Sequence, residues 1–388
     1  MSKTEDAWKE STPGCWTNSQ TGETFGCSGK SASSDKSASS DKSASSDKGT
    51  TSGTSKSDTS EKGSGSWGDK DSGSCGEADS LSHLPAPRHC VTHGGQSRCW
   101  YEYHKAASSS TTAVPLIVDM HGYGGCSTDQ SAMSGWREIA DNHGALIIWP
   151  FASLDSAGSR SWGAAGSAGG SDNKQPMDDV GFLRTLVANV LLRWAPSASP
   201  PVQIDPARLY MVGYSNGCMM AQRFALEASE LVAAVGCQSG YLLSPPAEPP
   251  ASFAPMPIIT VHGTADTVVP FSRDNSAVWA RLNGCTDSSP SVATSSGGSY
   301  SRVTYAQCRA GVQVQLIELP SAGHASYHAG VPTTPMVWAF LSSYQRSASS
   351  NGAVIGAAVG GGVAGLLLVV ASLLVWRVKG CPDPRRRK

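Results

Sequence analysis

The feature that most constrains the fold is an alternation, over residues 87–345, of short apolar runs rich in β-branched residues with longer amphipathic stretches. Such alternation is typical of an α/β domain, a mostly parallel sheet flanked by helices. The predicted strands are residues 115–119, 145–149, 208–212, 232–237, 257–261 and 312–318. The predicted helices are residues 179–194, 215–228 and 335–344. Functional residues are expected in the loops that leave the carboxyl ends of these strands.

Residues 1–86 have a composition that predicts disorder. The segment is dominated by Ser, Gly, Lys and Asp, and the hexapeptide Ser-Ala-Ser-Ser-Asp-Lys occurs three times in succession over residues 31–48. A chain of this kind buries too little apolar surface to fold, so we interpret it as a flexible stalk or spacer. Cys15, Cys27 and Cys75 complicate this interpretation, because they could close a small loop or pair between chains.

The opposite end of the chain predicts a membrane span. Residues 353–376 are apolar or small and carry no charge, and at about 1.5 Å per residue they are long enough to cross a bilayer of about 30 Å. A linker, residues 346–352, precedes the predicted transmembrane helix, and a basic tail, residues 377–388, follows it. The positive-inside tendency places this tail in the cytoplasm, so the catalytic domain is expected to be extracellular or lumenal.

Glycines recur within and just before the predicted span. Gly352, Gly356 and Gly360 follow one another at every fourth position, and Gly361 and Gly365 have the same spacing. Small residues at this spacing let two transmembrane helices approach closely, so a dimer through these glycines is one expectation. Glycine is also common in membrane helices that do not associate.

The first ten residues conflict with this topology, because they contain no apolar core for a signal peptide. Two explanations are open: the true start lies upstream, or the chain is tail-anchored with its body in the cytosol. Ten of the eleven cysteines precede the apolar segment, an even number that suits disulfide pairing in an oxidising compartment. The cysteines and the basic tail therefore favour an upstream start.

Composition disfavours two classes of function. The formal net charge is -1 and charged residues make up 16% of the chain, so there is no overall basic field to recruit nucleic acid. The sequence has no tight C-x-x-C pair with histidine partners, which disfavours a structural zinc site. We therefore predict no nucleic-acid partner and no metal.

Residues 213–217 read Gly-Tyr-Ser-Asn-Gly and form a G-x-S-x-G motif. The motif stands between an apolar strand pattern, 209–212, and a helical pattern that starts at Cys218. This is the context of a nucleophile elbow, in which small flanking residues allow a sharp strand-to-helix turn and lift the serine hydroxyl above the sheet. Ser215 is therefore the candidate nucleophile.

A serine nucleophile needs a base to take its proton and a carboxylate to orient that base. Asp266 follows the predicted strand 257–261, and His324 follows the predicted strand 312–318. The order serine, acid, histidine is that of α/β-hydrolases. Two alternatives stay open, that Asp266 caps a turn and that His328 is the base. His262 lies inside the strand exit and is expected to pack locally.

The third requirement is an oxyanion hole of preorganised N–H donors. One expected donor is the backbone N–H of Asn216, directly after the serine. The other is expected from the glycine-rich loop that follows the first predicted strand, at Tyr123 or Gly124. An ordinary glycine turn is the alternative interpretation of this loop.

Together these motifs resemble the polyhydroxybutyrate depolymerase-like esterases, which include feruloyl and acetylxylan esterases of the carbohydrate esterase type. The resemblance spans about residues 114–340 and rests on Val118-Asp-Met-His-Gly-Tyr-Gly-Gly125, Met177-Asp-Asp-Val-Gly-Phe182, Ile204-Asp-Pro-Ala-Arg208, Gly213-Tyr-Ser-Asn-Gly217, His262-Gly-Thr-Ala-Asp266 and Ala322-Gly-His324. It implies an α/β-hydrolase fold, the triad Ser215, Asp266 and His324, no metal and no organic cofactor. It also implies a disulfide between Cys285 and Cys308.

The chain departs from the family pattern at two places near the site. Cys218 stands where a glycine often follows the elbow, and Ala325-Ser326 replaces the Trp-Pro that often follows the histidine. These departures put the substrate pocket in doubt. Trp162 and Tyr214 are candidates to line that pocket, with buried packing as the alternative for Trp162.

The sequence thus predicts a membrane-anchored serine carboxylic-ester hydrolase that works through an acyl-enzyme. An ester substrate of feruloyl- or acetyl-polysaccharide type is expected. Two alternatives are a polyhydroxyalkanoate depolymerase or general esterase, and a non-catalytic surface binding protein on a hydrolase scaffold.

Overall fold

A computed structural model of the chain describes most of the predicted catalytic domain. The described residues are 8–12, 15–18, 24–25, 88–105, 113–165, 178–194, 203–287, 289–295, 298–324, 327 and 330–346. Within them, no helix combines the length and the apolarity that crossing a bilayer requires. The predicted span and basic tail, 353–388, lie outside the described residues.

A small antiparallel sheet lies inside the region that composition predicts to be disordered. Its strands, in spatial order, are β1 (Trp8–Thr12), β2 (Cys15–Asn18) and β3 (Thr24–Phe25). Aromatic residues and threonines, which favour extended backbone, are concentrated in these strands. Disorder over all of residues 1–86 is therefore wrong for these three short segments, whereas the hexapeptide repeats lie outside the described residues.

The main body is built on a ten-stranded sheet. Its strands in chain order are β4 (Arg88–His93), β5 (Gln96–Tyr103), β6 (Val114–Met120), β7 (Leu146–Pro150), β10 (Ile204–Tyr214), β11 (Ala234–Gln238), β12 (Ile258–Gly263), β13 (Ser291–Thr294), β14 (Ser301–Tyr305) and β15 (Val314–Leu319). The spatial order is β13-β14-β15-β12-β11-β10-β6-β7-β5-β4, and a separate two-stranded sheet pairs β8 (Ser153–Leu154) with β9 (Arg160–Ser161).

The centre of the large sheet is parallel. The run β7-β6-β10-β11-β12-β15 has parallel neighbours throughout. These are the six strands that the apolar runs predict, and their burial on both faces explains why they read as continuous apolar runs. Antiparallel pairs close both edges, β5 with β4 on one side and β14 with β13 on the other.

Helices cover both faces of the sheet. They are α1 (Ser127–Met133), α2 (Trp136–His143), α3 (Asp179–Arg193), α4 (Asn216–Glu227), α5 (Asp274–Leu282) and α6 (Thr333–Leu341). One apolar core packs α3, α4 and α5 against the sheet, and a second core on the opposite face packs α2 and α6. The α/β-hydrolase fold predicted from the sequence is therefore confirmed, and α3, α4 and α6 match the three predicted helices.

Three disulfides tie the described part of the chain together. Cys90 and Cys99 bond across the β4–β5 hairpin, and Cys218 in the first turn of α4 bonds to Cys237 in β11. The third joins Cys285 to Cys308, which is the pair that the family resemblance predicts.

Candidate active site

Ser215 sits at the junction of β10 and α4 with an unusual backbone conformation. Its φ is 51° and its ψ is -119°, a region that residues with a side chain rarely occupy. The turn is tight because Gly213 and Gly217 carry no side chain. A Cβ on Gly213 would lie 2.6 Å from the Gly217 backbone, and one on Gly217 would lie 2.2 Å from the Met120 carbonyl oxygen. Both contacts are too close for any larger residue, so the two motif glycines are sterically required.

The structure brings Ser215, His324 and Asp266 into one hydrogen-bonded chain. The distance from His324 Nε2 to Ser215 Oγ is 2.9 Å, and the distance from His324 Nδ1 to Asp266 Oδ2 is 2.7 Å. The Asp266 side chain is fully buried, whereas 19% of the His324 side chain is exposed. A buried acid and a partly exposed histidine suit a base that meets a substrate arriving from solvent. His328, the alternative base, lies outside the described residues.

Asp266 is fixed from several directions. Its Oδ1 accepts hydrogen bonds of 2.9 Å from the backbone N–H groups of Val268 and Val269. Its Oδ2 lies 3.1 Å from Nε2 of His262, which in turn lies 2.8 Å from the Val269 carbonyl oxygen. The sequence predicted only local packing for His262, but its contact with the acid helps to hold that carboxylate in one orientation.

Two hydroxyl groups hold the backbone of His324. Ser239 Oγ donates to the His324 carbonyl oxygen at 2.8 Å, and Tyr214 Oη donates to the same oxygen at 3.1 Å. The Tyr214 ring also packs against the imidazole, with 5.1 Å between the ring centroids. Tyr214 was predicted to line the substrate pocket, and this contact gives it a structural connection to the base as well. Nothing in the local sequence identifies Ser239, because its partner lies on a distant loop.

The expected oxyanion side of the site is formed by the start of α4 and by residues 121–124, here named the glycine loop. Asn216 is the first residue of α4, so its backbone N–H has no partner within the helix. The glycine loop passes close to the nucleophile, since a Cβ on Gly122 would lie 3.4 Å from Ser215 Cβ. Gly124 is a poorer donor than predicted, because its N–H already donates to the Arg160 carbonyl oxygen at 2.9 Å. Tyr123 is the remaining predicted donor of this loop.

Trp162 connects the glycine loop to the nucleophile helix. Its backbone N–H donates to Asn216 Oδ1 at 2.7 Å, and its ring Nε1 donates to the His121 carbonyl oxygen at 3.0 Å. Only 1% of Trp162 is exposed, so it packs in the core and does not form a pocket wall. The structure therefore supports buried packing for Trp162 and not the role of a pocket wall.

His121 anchors the glycine loop as a neutral ring. Burial lowers its pKa to about 4, against the opposing effect of its hydrogen bond to the Gly122 carbonyl oxygen. Its Nδ1 lies 2.7 Å from that oxygen, and its Nε2 accepts a hydrogen bond of 3.1 Å from the Ala152 N–H. These two contacts specify one tautomer, with the proton on Nδ1.

Among the described residues, no group of three or more His, Cys, Asp or Glu side chains is arranged to hold a metal ion.

Residues 101–289 match the Phospholipase/Carboxylesterase family. The matched segment contains Ser215 and Asp266, while His324 lies beyond its end. The esterase resemblance inferred from the sequence motifs is confirmed by this match.

Two relatives of the chain are esterases by name. The chain is 26% identical over 238 residues to Feruloyl esterase B of Piromyces equi, covering 55% of this chain and 40% of the relative. It is 23% identical over 258 residues to the bifunctional acetylxylan esterase/xylanase XynS20E of Neocallimastix patriciarum, covering 64% and 34%. The chain thus spans less than half the length of each of these relatives.

Among solved structures, an acetyl xylan esterase from Aspergillus awamori is similar with a TM-score of 0.49 and 16% identity. The similarity covers 66% of this chain and 99% of that one.

Proposed function

We propose that this protein is a serine carboxylic-ester hydrolase with Ser215 as nucleophile, His324 as general base and acid, and Asp266 as the residue that orients His324. The observation that carries the proposal is the hydrogen-bonded chain from Asp266 Oδ2 through His324 to Ser215 Oγ. The match of residues 101–289 to the Phospholipase/Carboxylesterase family and the esterase relatives support the same reaction class.

The reaction proceeds by acyl transfer in two halves. Ser215 Oγ attacks the ester carbonyl carbon while His324 Nε2 takes the hydroxyl proton, and a tetrahedral oxyanion forms. The C–O bond to the alcohol then breaks, and His324 returns the proton to the leaving oxygen. Water repeats the sequence on the acyl-enzyme and releases the carboxylic acid and free Ser215.

The oxyanion of each tetrahedral intermediate needs N–H donors. We assign Asn216 and Tyr123 as the donating backbone groups, because one begins α4 and the other lies on the glycine loop beside Ser215. Trp162 ties the two sides of this hole together through its hydrogen bonds to Asn216 and His121. The oxyanion hole is thus preorganised before substrate binds, and this preorganisation is the source of its catalytic effect.

We place the substrates among acyl esters of plant-type polysaccharides, either aromatic acyl groups such as ferulate or short ones such as acetate. The relatives support this class through their names, a feruloyl esterase and an acetylxylan esterase. Tyr123, on the assigned oxyanion side, is 51% exposed, so this side of the site borders solvent.

The test is hydrolysis of p-nitrophenyl acetate and methyl ferulate by the full-length protein, with Ser215→Ala in parallel. We expect the variant to lose at least about 10³-fold in kcat, since removing a triad serine leaves only binding and oxyanion stabilisation. Ser343→Ala, which removes a hydroxyl from the end of α6, is the matched control and should retain activity. Absence of hydrolysis by wild type, together with absence of labelling by a fluorophosphonate, would contradict the proposal and favour a binding protein.

We further propose that residues 353–376 anchor the protein in a membrane with the hydrolase domain in an oxidising compartment. Three disulfides within the described residues support such a compartment. Carbonate extraction of expressing cells should leave wild type in the membrane pellet and release a Leu367→Arg/Val370→Arg variant, because charges in a span are costly. Release of wild type by carbonate would refute the anchor.

A further inference from the structure

Two acidic residues stand side by side at the start of α3 and have different surroundings. Asp178 is the N-cap residue, and its side chain, 66% exposed, accepts the Gly181 N–H at 2.8 Å. Asp179 is the first residue of the helix, and none of its side chain is exposed. Capping accounts for Asp178 alone, because Asp178 already supplies the side-chain acceptor at the start of this helix. The burial of the second carboxylate has another cause.

The Asp179 carboxylate has one partner on each oxygen. Its Oδ1 accepts a hydrogen bond of 2.6 Å from Arg98 Nη2 in β5, and its Oδ2 accepts one of 2.7 Å from the backbone N–H of Gly163. Arg98 is itself buried, and its guanidinium carbon lies 4.0 Å from the centroid of the Phe182 ring. A buried ion pair is costly to desolvate and often stabilises a fold no more than apolar residues of similar volume do. Stability alone therefore does not explain this pair.

Gly163 connects the ion pair to the proposed active site, because it directly follows Trp162. The Trp162 backbone exchanges two hydrogen bonds with the Asn216 side chain, from N–H to Oδ1 at 2.7 Å and from Nδ2 to the carbonyl oxygen at 3.2 Å. The Trp162 ring also donates to the His121 carbonyl oxygen in the glycine loop. Both backbone segments assigned to the oxyanion hole are thus bonded to Trp162, and the residue after Trp162 is held by Asp179.

The segment 162–163 is held by two helices. Asp179 of α3 accepts the Gly163 N–H, and Arg223 of α4 donates to the Gly163 carbonyl oxygen. The first residue of α4 is Asn216, so the segment is fixed to the helix whose N-terminal N–H is assigned to the oxyanion. An oxyanion donor is effective when its direction is set before the charge develops. A buried carboxylate with a partner on each oxygen suits this task, because its own orientation is fixed.

We propose that Asp179 is a positioning residue for the oxyanion hole. By holding Gly163 it fixes Trp162, to which both sides of the hole are bonded. The inference rests on the proposed ester-hydrolase function and adds a residue to it. In the proposed mechanism Asp179 contacts neither the substrate nor the hydrogen-bonded triad. Its loss should therefore weaken the stabilisation of the oxyanion and leave proton transfer by the triad intact.

The full-length Asp179→Asn variant tests this role on two substrates, p-nitrophenyl acetate and its thionoester, in which sulfur replaces the carbonyl oxygen. The amide oxygen of the variant should turn to the Arg98 guanidinium, so that its NH2 group faces the Gly163 N–H and that hydrogen bond is lost. We expect kcat/KM on the oxygen ester to fall about 30-fold, which is less than the loss of roughly 10²–10³-fold caused by removing an oxyanion donor itself. KM should stay within about threefold of the wild-type value.

The thionoester separates positioning from a general loss of structure. Sulfur is a weaker hydrogen-bond acceptor than oxygen, so hydrolysis of the thionoester depends less on the oxyanion hole. Its kcat/KM should fall only about threefold, so the ratio of kcat/KM for the oxygen ester to that for the thionoester should fall about tenfold. A loosened fold or a displaced triad would slow both substrates in proportion and leave this ratio unchanged.

Asp178→Asn is the matched control, because it alters the neighbouring carboxylate and affects only the cap of α3 and the contact with His93. It should keep the wild-type ratio. If Asp179→Asn also keeps the wild-type ratio while wild type hydrolyses the oxygen ester, the positioning role is overturned and the hydrolase function stands.

Two double variants remove the ion pair and differ in the acceptor that they offer. Arg98→Met/Asp179→Asn leaves an amide oxygen to accept the Gly163 N–H, whereas Arg98→Met/Asp179→Leu offers no acceptor. Neither leaves a buried charge without its partner, so both test the role even where Asp179→Asn does not fold. We expect the first to recover the wild-type ratio within about threefold and the second to stay about tenfold below it. Equal ratios in the two would show that Asp179 only neutralises Arg98.

Hydrogen exchange tests the same linkage without turnover. Peptides that span residues 160–165 and 216–220 should exchange faster in Arg98→Met/Asp179→Leu than in Arg98→Met/Asp179→Asn, because the Gly163 N–H then lacks its acceptor. This comparison holds even if wild type hydrolyses neither ester, so failure of the hydrolase function and failure of the positioning role are distinguishable. The same exchange rates in both double variants would overturn the role of Asp179.

Discussion

Ser239 Oγ donates a hydrogen bond of 2.8 Å to the backbone carbonyl oxygen of His324, and thereby links the end of β11 to the loop that carries the proposed base. Ser239 is fully buried, its φ is 54°, and its own N–H donates to the Val261 carbonyl oxygen at 2.9 Å. The preceding residue, Gln238, accepts the Ser215 N–H at 2.8 Å. Two adjacent residues thus position the nucleophile and the base relative to each other.

Removal of this hydroxyl should impair catalysis without unfolding the protein. We expect Ser239→Ala to lower kcat on p-nitrophenyl acetate by about threefold to tenfold, the effect of one neutral hydrogen bond. KM should stay within twofold, because Ser239 does not contact substrate in the proposed mechanism. The rate of fluorophosphonate labelling should fall in parallel with kcat.

Tyr214→Phe tests the second hydrogen bond to the His324 carbonyl oxygen, because it removes the Tyr214 hydroxyl and keeps the ring. The double variant should lose more than the product of the two single effects, since the carbonyl oxygen then has neither donor. Strictly multiplicative effects would show that the two hydroxyls act independently of each other.

The disulfide between Cys218 and Cys237 should matter for activity in a way that the one between Cys285 and Cys308 does not. The two close loops of similar length, with sequence separations of 19 and 23, so each should stabilise the fold by about 3 kcal/mol. Only the first begins in the turn of α4 that follows Ser215 and ends beside Gln238.

We therefore expect Cys218→Ala/Cys237→Ala and Cys285→Ala/Cys308→Ala to lower the unfolding free energy by similar amounts. The first double variant should also lower kcat by about tenfold at a temperature where both remain folded, because the elbow loses a tether. Equal kcat values for the two double variants, measured beside chemical denaturation curves, would contradict a specific role for the first disulfide.

The glycines around Ser215 should tolerate alanine to different degrees. A Cβ on Gly217 would lie 2.2 Å from the Met120 carbonyl oxygen, which is backbone that cannot move aside cheaply. A Cβ on Gly122 would lie 3.1 Å from a Tyr214 ring carbon, a contact that a small rotation of the ring relieves. Gly217→Ala should thus destabilise the fold by about 3 kcal/mol or more, whereas Gly122→Ala should fold and lose activity by about tenfold. Thermal unfolding and fluorophosphonate labelling of the two variants distinguish these outcomes.

The sequence was sufficient to predict the parts of the structure that depend on local pattern and chain order. The six central strands read as apolar runs because both faces of the sheet are covered, and Ser215, Asp266 and His324 each follow one of those strands. Strand-to-loop position was enough to bring these three residues together, because parallel strands end at one edge.

Features that depend on contacts between distant segments could not be predicted. Ser239 shows no motif, and its role arises because β11 lies between β10 and β12 in the sheet. A cavity between the β4–β5 hairpin and the segment after β7 forms only because β5 pairs antiparallel with β7 at the edge of the parallel sheet. Gly124 was a reasonable donor by sequence, but its N–H donates to the carbonyl oxygen of Arg160 in β9, which is distant in the chain.

A buried carboxyl in β6, just before the glycine loop, predicts how stability changes with pH. Asp119 is fully buried near the end of β6, and burial raises its pKa to about 7 against the hydrogen bonds of Gln130 and Trp149. The Gln130 Nε2 and Trp149 Nε1 donors lie 2.7 and 3.0 Å from the carboxyl oxygens. These contacts keep the carboxyl oriented but do not offset the loss of solvation.

The sign of the effect follows from the raised pKa. The folded state holds a proton on Asp119 up to about pH 7, whereas the unfolded chain releases it near the ordinary value of 3.8. The unfolding free energy should therefore fall as pH rises from about 4 to 7 and level off above 7, with a loss of about 2–3 kcal/mol between pH 5 and 7 from this group. Asp119→Asn cannot ionise and should lack that part of the loss. Denaturant unfolding at pH 5, 6, 7 and 8 measures the difference in unfolding free energy between the variant and wild type. The control is Asp287→Asn, which removes an exposed carboxylate that contacts Ala306 and Gln307. Its unfolding free energy should change with pH as that of wild type does. Parallel curves for Asp119→Asn and wild type across this range would show that the carboxyl is already ionised in the folded protein at pH 5.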